Sequence, residues 1–335
     1  MTVFLLIVAF GVILAGCELF VNGIEWFGRK LNLGEGAVGS VLAAVGTALP
    51  ETIIPLIAIL FASGESGHEI GIGAILGAPF MLSTLAIFVC GTSIVIFTLT
   101  KRRTLKVRYN TGIMRRDLSY FLVAYTVAVL CGVFDVGFFR YIVAGLLLVG
   151  YAFYVRQTMK CEGDLQGECR SLYFHRTAES PQLRRVILQI IVALVAIVFG
   201  ADLFVEQLVK IAETAGIPAL VISLLITPVA TELPEKFNSV LWMRQKKDTL
   251  ALGNITGAMV FQSTFPVAIG MAFTDWKLWG GGDWHAAVAS GVAVLSGLLL
   301  YGRLRFVKRG FGVGSLLFGG VLYGAFLGVA LWSIL

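Results

Sequence analysis

The chain has 335 residues, of which 58% are hydrophobic and only 14% are Asp, Glu, Lys or Arg. A soluble domain carries about 25% charged residues, so a soluble globule of this length would be too poor in charge to stay solvated. The mean hydropathy of +0.88 agrees with this conclusion. Composition therefore excludes an ordinary soluble protein, and the positions of the few charged residues become the informative feature.

Nearly the whole chain consists of apolar stretches long enough to cross a bilayer as helices, which requires about 17 to 25 residues each. The first stretch has no basic segment before it and no cleavage site before Glu18, which predicts a retained span and not a signal peptide. We predict an all-α membrane protein with ten transmembrane helices, at about residues 2–27, 36–62, 70–99, 118–134, 138–156, 184–211, 217–243, 249–273, 284–301 and 311–334.

The basic residues predict the orientation, because Lys and Arg accumulate in loops that stay on the cytoplasmic side. With the N-terminus outside, the five inward loops and their adjoining helix ends hold 22 of the 26 basic residues. The other four are Arg140, Lys210, Lys236 and Lys277. The sequence thus predicts an integral, multi-pass protein of the plasma (inner) membrane with both termini outside.

The distribution of charge also bears on partners and on domain organisation. Because the positive charge is spread over five short loops on one side, the orientation rule explains it and we expect no nucleic acid partner. The expected partners are inorganic cations and the lipid bilayer. The longest polar segment, 157–183, is predicted to be a cytoplasmic linker between a first repeat at 1–156 and a second repeat at 184–335.

The two halves share an internal repeat. Three segments recur at offsets of 184, 184 and 180 residues: GCELFV at 16–21 with GADLFV at 200–205, TALPE at 47–51 with TELPE at 231–235, and GAILGA at 73–78 with GNITGA at 253–258. Five helices separate equivalent points, so the second copy crosses the membrane in the opposite sense. Such inverted repeats are typical of secondary transporters, whose binding site lies between the repeats near the midplane.

The repeated motif places Glu51 and Glu235 inside apolar helices. A charge at the bilayer centre costs roughly 3 kcal/mol on insertion scales, so such an acid normally faces a polar cavity or a partner. Two acids at equivalent positions of inverted copies are expected to converge. The alternative is that each is neutralised separately, which leaves the repetition unexplained.

Prolines beside these acids add oxygen ligands, because a proline cannot donate the helical hydrogen bond to the carbonyl four residues earlier. Oxygen ligands without nearby His or Cys favour a hard cation such as Ca²⁺ or Na⁺. The predicted oxygen donors are the freed carbonyls of Gly46 and Ala230, and Thr47 and Thr231 on the same helix faces as the two acids.

The segments GTALPE at 46–51 and ATELPE at 230–235 resemble the two alpha-repeats of the cation/calcium exchanger superfamily, most closely its sodium/calcium exchanger branch. The resemblance extends over both halves, the helix count and the orientation. It implies an antiporter that moves Ca²⁺ against Na⁺ or H⁺ by alternating access. It also implies Glu51 and Glu235 as the central metal ligands, with backbone oxygens from Thr47 and Thr231.

The ligand set diverges from the family pattern of G-T-S-L-P-E followed by G-S-N-x-x-N or G-S-N-x-x-D. Three polar positions are replaced in the two copies, by Ala48 and Glu232, by Ala78 and Ala258, and by Leu82 and Gln262. Most side-chain ligands expected for Na⁺ are therefore missing, and Gln262 stays a candidate ligand. Ser83 and Ser263 lie one residue further on and would serve only if the helix rotates by about 100°.

Glu232 is an additional acid with two interpretations. It lies three residues before Glu235 on the same helix face, and two like charges that close favour keeping one carboxyl protonated. A protonated carboxyl makes H⁺ coupling a rival to Na⁺ coupling. Alternatively, Glu232 pairs with Lys236, its i+4 neighbour. Lys236 is also a candidate to occupy a cation site as a tethered charge, which would weaken exchange.

Glu18 and Asp202 occupy equivalent positions in the first helix of each half. In the family that this chain resembles, this helix pair slides against the core, which makes both acids candidates for the ion entrance. An equally good interpretation places them near the membrane surface. Together with Lys236, Ser83 and Ser263, they are candidate modulators of the site.

The sequence favours a secondary antiporter over an enzyme, since it shows neither a nucleophile and base pair nor an HExxH-like metal motif. Its expected substrates are Ca²⁺ and a counter-transported Na⁺ or H⁺, with no cofactor, and a monomer suffices for transport. Two alternatives remain open at this point. One is an exchanger for Mg²⁺, Mn²⁺ or K⁺, and the other is a membrane binding or signalling component that has lost transport.

Overall fold

The computed structural model describes residues 1–30, 49–62, 65–159, 171–175, 181–279, 284–306 and 312–334. Over these ranges the ordered elements are helical, without a β-strand. Leu82–Ala86 is a π-helical turn and Tyr173–His175 is a 3-10 turn. The α-helices are α1 Thr2–Lys30, α2 Leu49–Leu60, α3 Glu65–Met81, α4 Ile87–Leu99, α5 Thr111–Val133, α6 Phe139–Met159, α7 Leu183–Ala215, α8 Ala219–Arg244, α9 Asp248–Gln262, α10 Phe265–Phe273, α11 His285–Phe306 and α12 Val313–Ile334.

Eight helical stretches in the described ranges are long and apolar enough to cross a membrane. Two shorter apolar helices accompany them, Pro50–Leu60 within α2 and Ala219–Glu232 within α8. Each of them overlaps an apolar segment predicted from the sequence, although residues 36–48 of the second predicted segment lie outside the described residues. The chain is therefore an all-helical, multi-pass integral membrane protein.

Several helix boundaries differ from the sequence prediction. The fourth segment was expected to begin at about residue 118, whereas α5 begins at Thr111. The predicted span 70–99 is interrupted by the π-helical turn, and the predicted span 249–273 breaks between α9 and α10. Most of the predicted linker 157–183 lies outside the described residues, with α6 continuing to Met159 and α7 beginning at Leu183.

Helices α1 and α7 pack against each other through matched glycines. A Cβ on Gly16 would lie 2.8 Å from the side chain of Ile197 and 3.2 Å from the carbonyl oxygen of Ala193. A Cβ on Gly200 would lie 2.9 Å from the side chain of Ile13 and 3.2 Å from the carbonyl oxygen of Ala9. The partners in the two contacts differ by the same 184 residues as the sequence repeat, so the pair has local two-fold symmetry.

Glycines also allow α3 to approach α8. Gly73 and Gly77 lie four residues apart on one face of α3, and a Cβ on either would collide with the backbone of α8. Small residues at this spacing let membrane helices pack backbone to backbone. The hydroxyl of Ser223 reinforces the contact by donating to the carbonyl of Ile70 at 2.6 Å. The helix of the repeated motif is thus held tightly against α3.

The two helix interruptions share a hydrogen-bond pattern. In the first half, the hydroxyls of Ser83 and Thr84 donate to the carbonyl oxygen of Phe80. In the second half, Ser263 and Thr264 donate to the carbonyl oxygen of Val260, at 3.0 Å and 2.7 Å. Each residue of the second set lies 180 residues after its counterpart, the offset found for this block of the sequence. Both halves therefore depart from regular α-helix at the same point.

Part of the predicted linker docks where α1 meets α7. The backbone N–H of Tyr173 donates to Asn22 Oδ1 at 3.2 Å, and that of Phe174 donates to Gln189 Oε1 at 3.0 Å. Gln189 Nε2 donates to Asn22 Oδ1 at 3.0 Å. Leu172 is fully buried in a cluster with Trp26 and residues of α7. The segment 171–175 thus bridges one end of the α1–α7 pair.

Candidate functional site

The first predicted acid, Glu51, lies in the first described turn of α2 and is only 5% exposed. The helix is apolar and packs against α3 and α7, and it also contacts α8. The carboxylate is thus largely shielded from solvent. The predicted oxygen donors Gly46 and Thr47, which precede α2, lie outside the described residues.

The second copy of the motif lies at the middle of α8. The helix continues through Pro228 and Pro234, which cannot donate helical hydrogen bonds, so the carbonyl of Ala230 loses its usual helical donor. Thr231 is 2% exposed, and its hydroxyl donates to the carbonyl of Thr227 at 3.1 Å. Glu235 belongs to the same helix, but its side chain lies outside the described part of the structure.

Glu232 is the centre of a buried polar cluster. Its Oε2 lies 3.1 Å from the Nζ of Lys236, and its Oε1 accepts a hydrogen bond of 2.8 Å from Gln262 Nε2. The three residues are between 1% and 3% exposed. Of the two interpretations of Glu232, the structure shows the ion pair with Lys236. The pair lies within one helix, while Gln262 joins it to the end of α9.

Gln262 has a second polar atom in this cluster. Its Oε1 is buried, and no donor for it occurs among the described residues. A buried acceptor without a donor costs roughly 1–3 kcal/mol, so such an atom calls for an explanation. An amide oxygen beside a carboxylate is a suitable ligand for a hard cation. The structure thus places an acceptor of the right chemistry at the position that the sequence singled out.

The serines that were expected to require a helix rotation lie at the two interruptions. Ser83 and Ser263 are both fully buried. The π-helical turn inserts an extra residue into a helix, which rotates the residues after the turn relative to a regular α-helix. Ser83 lies within that turn and Ser263 lies in the break after α9. Their hydroxyls donate to carbonyls of their own helix segments, and their role at a cation stays a prediction.

The acids Glu18 and Asp202 are exposed on α1 and α7. The hydroxyl of Tyr173, in the docked linker segment, donates to Glu18 Oε1. Glu18 is therefore engaged by the linker, while Asp202 faces outward on the other helix of the pair. Their proposed part in ion entry stays a prediction.

A further buried carboxylate, Asp117, was missed because the predicted span began at residue 118. Asp117 is 1% exposed on α5. Its Oδ2 accepts from the hydroxyl of Thr256 at 2.7 Å, and its Oδ1 accepts from Tyr154 at 3.2 Å and from Arg116 at 3.1 Å. The sequence held one sign of this polar contact. In the repeated block, the second copy has the hydroxyl residue Thr256 where the first copy has Leu76. Asp117 ties α9 to α5 and α6.

The described groups around the motif are carboxylate, amide and hydroxyl oxygens with one ammonium. Such oxygens suit hard cations rather than soft ones. Within the part of the chain that the structure describes, no three His, Cys, Asp or Glu side chains form a metal-binding group. Among the described groups, a cation near Glu232 would meet an amide oxygen as well as a carboxylate.

Two known membrane proteins are similar to this chain in sequence. An uncharacterized membrane protein of Methanocaldococcus jannaschii is 25% identical over 320 residues, which cover 91% of this chain and 93% of that protein. The sodium/calcium exchanger MaX1 of Methanosarcina acetivorans is 39% identical over 74 residues, which cover 22% of this chain and 21% of that protein.

Solved structures share the fold. The crystal structure of the H⁺/Ca²⁺ exchanger CAX matches with a TM-score of 0.71 at 16% identity, covering 98% of this chain and 86% of that one. A structure of the sodium-calcium exchanger NCX_Mj matches with a TM-score of 0.56 at 22% identity, covering 98% and 97%. These neighbours are ion exchangers and not enzymes. The family model described as sodium/calcium exchanger protein matches residues 1–159 and 185–335, which confirms the resemblance, and the chain belongs to this family.

Proposed function

We propose that this protein is a secondary antiporter that exchanges Ca²⁺ for Na⁺ or H⁺ by alternating access. The observation that carries the proposal is Glu51, a carboxylate that is 5% exposed on an apolar helix in contact with α8. Buried acids within membrane spans are functional sites by default, because their charge is costly there. In a chain of the exchanger family, the natural ligand for such an acid is the transported cation.

The proposed architecture has ten crossings in two inverted five-helix repeats. The reciprocal contacts of Gly16 and Gly200 support it, since they relate α1 and α7 by the 184-residue offset. The paired hydrogen bonds of Ser83 and Ser263 support it independently at the 180-residue offset. In this arrangement Glu51 and Glu235 would lie at equivalent places of the two repeats and converge near the midplane.

The proposed orientation places both termini outside the plasma (inner) membrane. At one end of the helices, basic loop 100–110 contacts the start of α9 through the ion pair of Arg103 with Asp248. At the other end, Lys277 pairs with Asp135, and Arg140 donates to the carbonyl of Asp275. The basic loop 100–110 thus lies at the same end as Arg244, Lys246 and Lys247, which agrees with the positive-inside rule.

The choice between Na⁺ and H⁺ depends on the diverged ligands. Loss of the family serines at Ala48, Ala78 and Ala258 weakens the case for Na⁺, whereas family membership favours it. No cofactor is needed for either exchange, and we propose the monomer as the transport unit. The partners in this scheme are the exchanged ions and the surrounding lipid.

The test is ⁴⁵Ca²⁺ uptake by proteoliposomes under an imposed Na⁺ gradient, an imposed H⁺ gradient, or neither. We expect uptake under at least one gradient, and loss of that uptake in Glu51→Gln. The matched control is Glu213→Gln, which removes an exposed carboxylate near the end of α7 and is expected to leave uptake unchanged. Unchanged ⁴⁵Ca²⁺ content under every gradient would count against the proposal.

The same vesicles test the alternative substrates. If Mg²⁺, Mn²⁺ or K⁺ suppresses ⁴⁵Ca²⁺ uptake as effectively as unlabelled Ca²⁺, the exchanger is not specific for calcium. The transport-inactive alternative predicts that no gradient drives uptake of any of these cations, although the purified protein still binds them.

A further inference from the structure

The ammonium of Lys236 supplies a positive charge of the protein's own beside the repeated motif. We propose that this ammonium takes the place of one monovalent cation at Glu232, so that Glu232 binds no exchangeable ion in the natural protein. The inference rests on the proposed function, which provides the cation site. It deepens that function by naming the residue that sets how many monovalent ions the site holds.

Burial makes an unpaired negative charge on Glu232 costly. The carboxylate is 1% exposed, at the middle of a membrane helix. A buried charge is tolerated only when it is paired and hydrogen-bonded. The cation that pairs with it can be a bound ion or an ammonium, and the structure shows the ammonium at 3.1 Å from Oε2.

The surrounding ligands suit a small cation as well as an ammonium. A small hard cation is bound by carboxylate and amide oxygens. An ammonium binds the same oxygens, because it offers three donors and no acceptor. The cluster provides such oxygens from Glu232 and from Gln262, whose buried Oε1 has no donor within the described ranges. If the ammonium were removed, these oxygens would form an incomplete but charged site for one monovalent ion.

Because Lys236 lies on the same helix as Glu232, its ammonium stays beside the carboxylate permanently. Glu232 and Lys236 lie four residues apart on α8, so their side chains meet on one helix face. Movement of α8 against another helix would not separate them. A bound Na⁺, in contrast, would leave whenever the site opened to either side. The charge at Glu232 is therefore fixed through the transport cycle.

The test counts the monovalent ions bound by purified protein, without requiring transport. Equilibrium binding of ²²Na⁺ is measured for the wild type and for Lys236→Gln, with choline chloride keeping the ionic strength constant. We expect Lys236→Gln to bind one more Na⁺ per chain than the wild type. Two controls isolate the charge: Lys236→Arg retains it, and Glu232→Gln/Lys236→Gln removes both members of the pair. Neither control is expected to gain a site.

Each outcome decides the inference. Equal Na⁺ stoichiometry in the wild type and Lys236→Gln overturns it, and so does the same gain in the double variant. If Lys236→Gln cannot be purified in choline chloride, its recovery in NaCl supports the inference, because a bound ion stabilises the folded state. Failure in both salts, with the double variant recovered, overturns it. Absence of ⁴⁵Ca²⁺ exchange would contradict the proposed function while leaving these ion counts interpretable.

Discussion

The guanidinium of Arg103 binds both carboxylate oxygens of Asp248, with Nη1 to Oδ1 at 2.8 Å and Nη2 to Oδ2 at 3.1 Å. Both side chains are 2% exposed. Nη1 also donates to the carbonyl of Met243, and Oδ2 also accepts from the backbone N–H of Arg108. The pair therefore fixes the loop before α5 to the start of α9, the helix that ends at Gln262.

We expect Asp248→Leu alone to lower the free energy of unfolding by about 3–5 kcal/mol, because it leaves a buried guanidinium without its carboxylate. Arg103→Met alone is expected to have a similar effect. The double variant should lose much less than the sum, since both charges are gone. Thermal unfolding of all four proteins in detergent, followed by intrinsic fluorescence, measures this coupling. Strictly additive losses would show that the two residues act independently.

The close approach of α3 and α8 predicts a strong effect of one added methyl group. A Cβ on Gly77 would collide with the carbonyl of Leu224 and lie 2.7 Å from the ring of Pro228. We expect Gly77→Ala to destabilise the protein by about 1–3 kcal/mol through overpacking. Gly328→Ala on α12 is the matched control, because nothing lies within 4 Å of its Cβ position. Equal melting temperatures of both variants would contradict the packing described for α3.

The polar contacts of Asp117 predict that two variants lose stability to different degrees. Tyr154→Phe removes one donor and is expected to cost about 0.5–1.5 kcal/mol. Asp117→Ala leaves the hydroxyls of Tyr154 and Thr256 without their acceptor, so its cost should exceed that of Tyr154→Phe by at least about 1 kcal/mol. Melting temperatures in detergent rank the two variants. A smaller loss for Asp117→Ala would show that this carboxylate does not hold α9 in place.

Hydrophobicity predicts the spans well, because the bilayer imposes length and composition on each of them. It failed at the start of α5, where Arg115, Arg116 and Asp117 look like loop residues. Asp117 is tolerated in the helix because Thr256 and Tyr154, far away in sequence, donate to it. Hydropathy also gives no sign of the two helix interruptions, although Pro266 at the start of α10 is a boundary signal in the second half.

The sequence predicts contacts of the site between residues close together in the chain better than contacts between different helices. The i,i+4 spacing of Glu232 and Lys236 allowed an ion pair, but only the packing of α8 decided that the pair forms. Gln262 was identified from the family pattern, whereas its bond to Glu232 depends on how α9 lies beside α8. For Gly46, Thr47 and the side chain of Glu235, which fall outside the described residues, the ligand roles stay predictions.

The docked linker segment predicts local protection of two backbone amides. The N–H groups of Tyr173 and Phe174 bond to the side chains of Asn22 and Gln189. Asn22→Ala removes the acceptor of Tyr173 and a partner of Gln189, so we expect faster hydrogen exchange at residues 171–175 with the helices unchanged.

Tyr173→Phe is the matched control for this segment, because it removes only the exposed hydroxyl that bonds to Glu18. Its amide exchange should stay close to that of the wild type. Hydrogen exchange followed by mass spectrometry resolves the segment from α1 and α7. Unchanged protection in Asn22→Ala would mean that the buried side chain of Leu172, and not the amide bonds, holds the linker against α1 and α7. In that case Leu172→Ala is the variant that should release the segment, since it leaves a cavity beside Trp26.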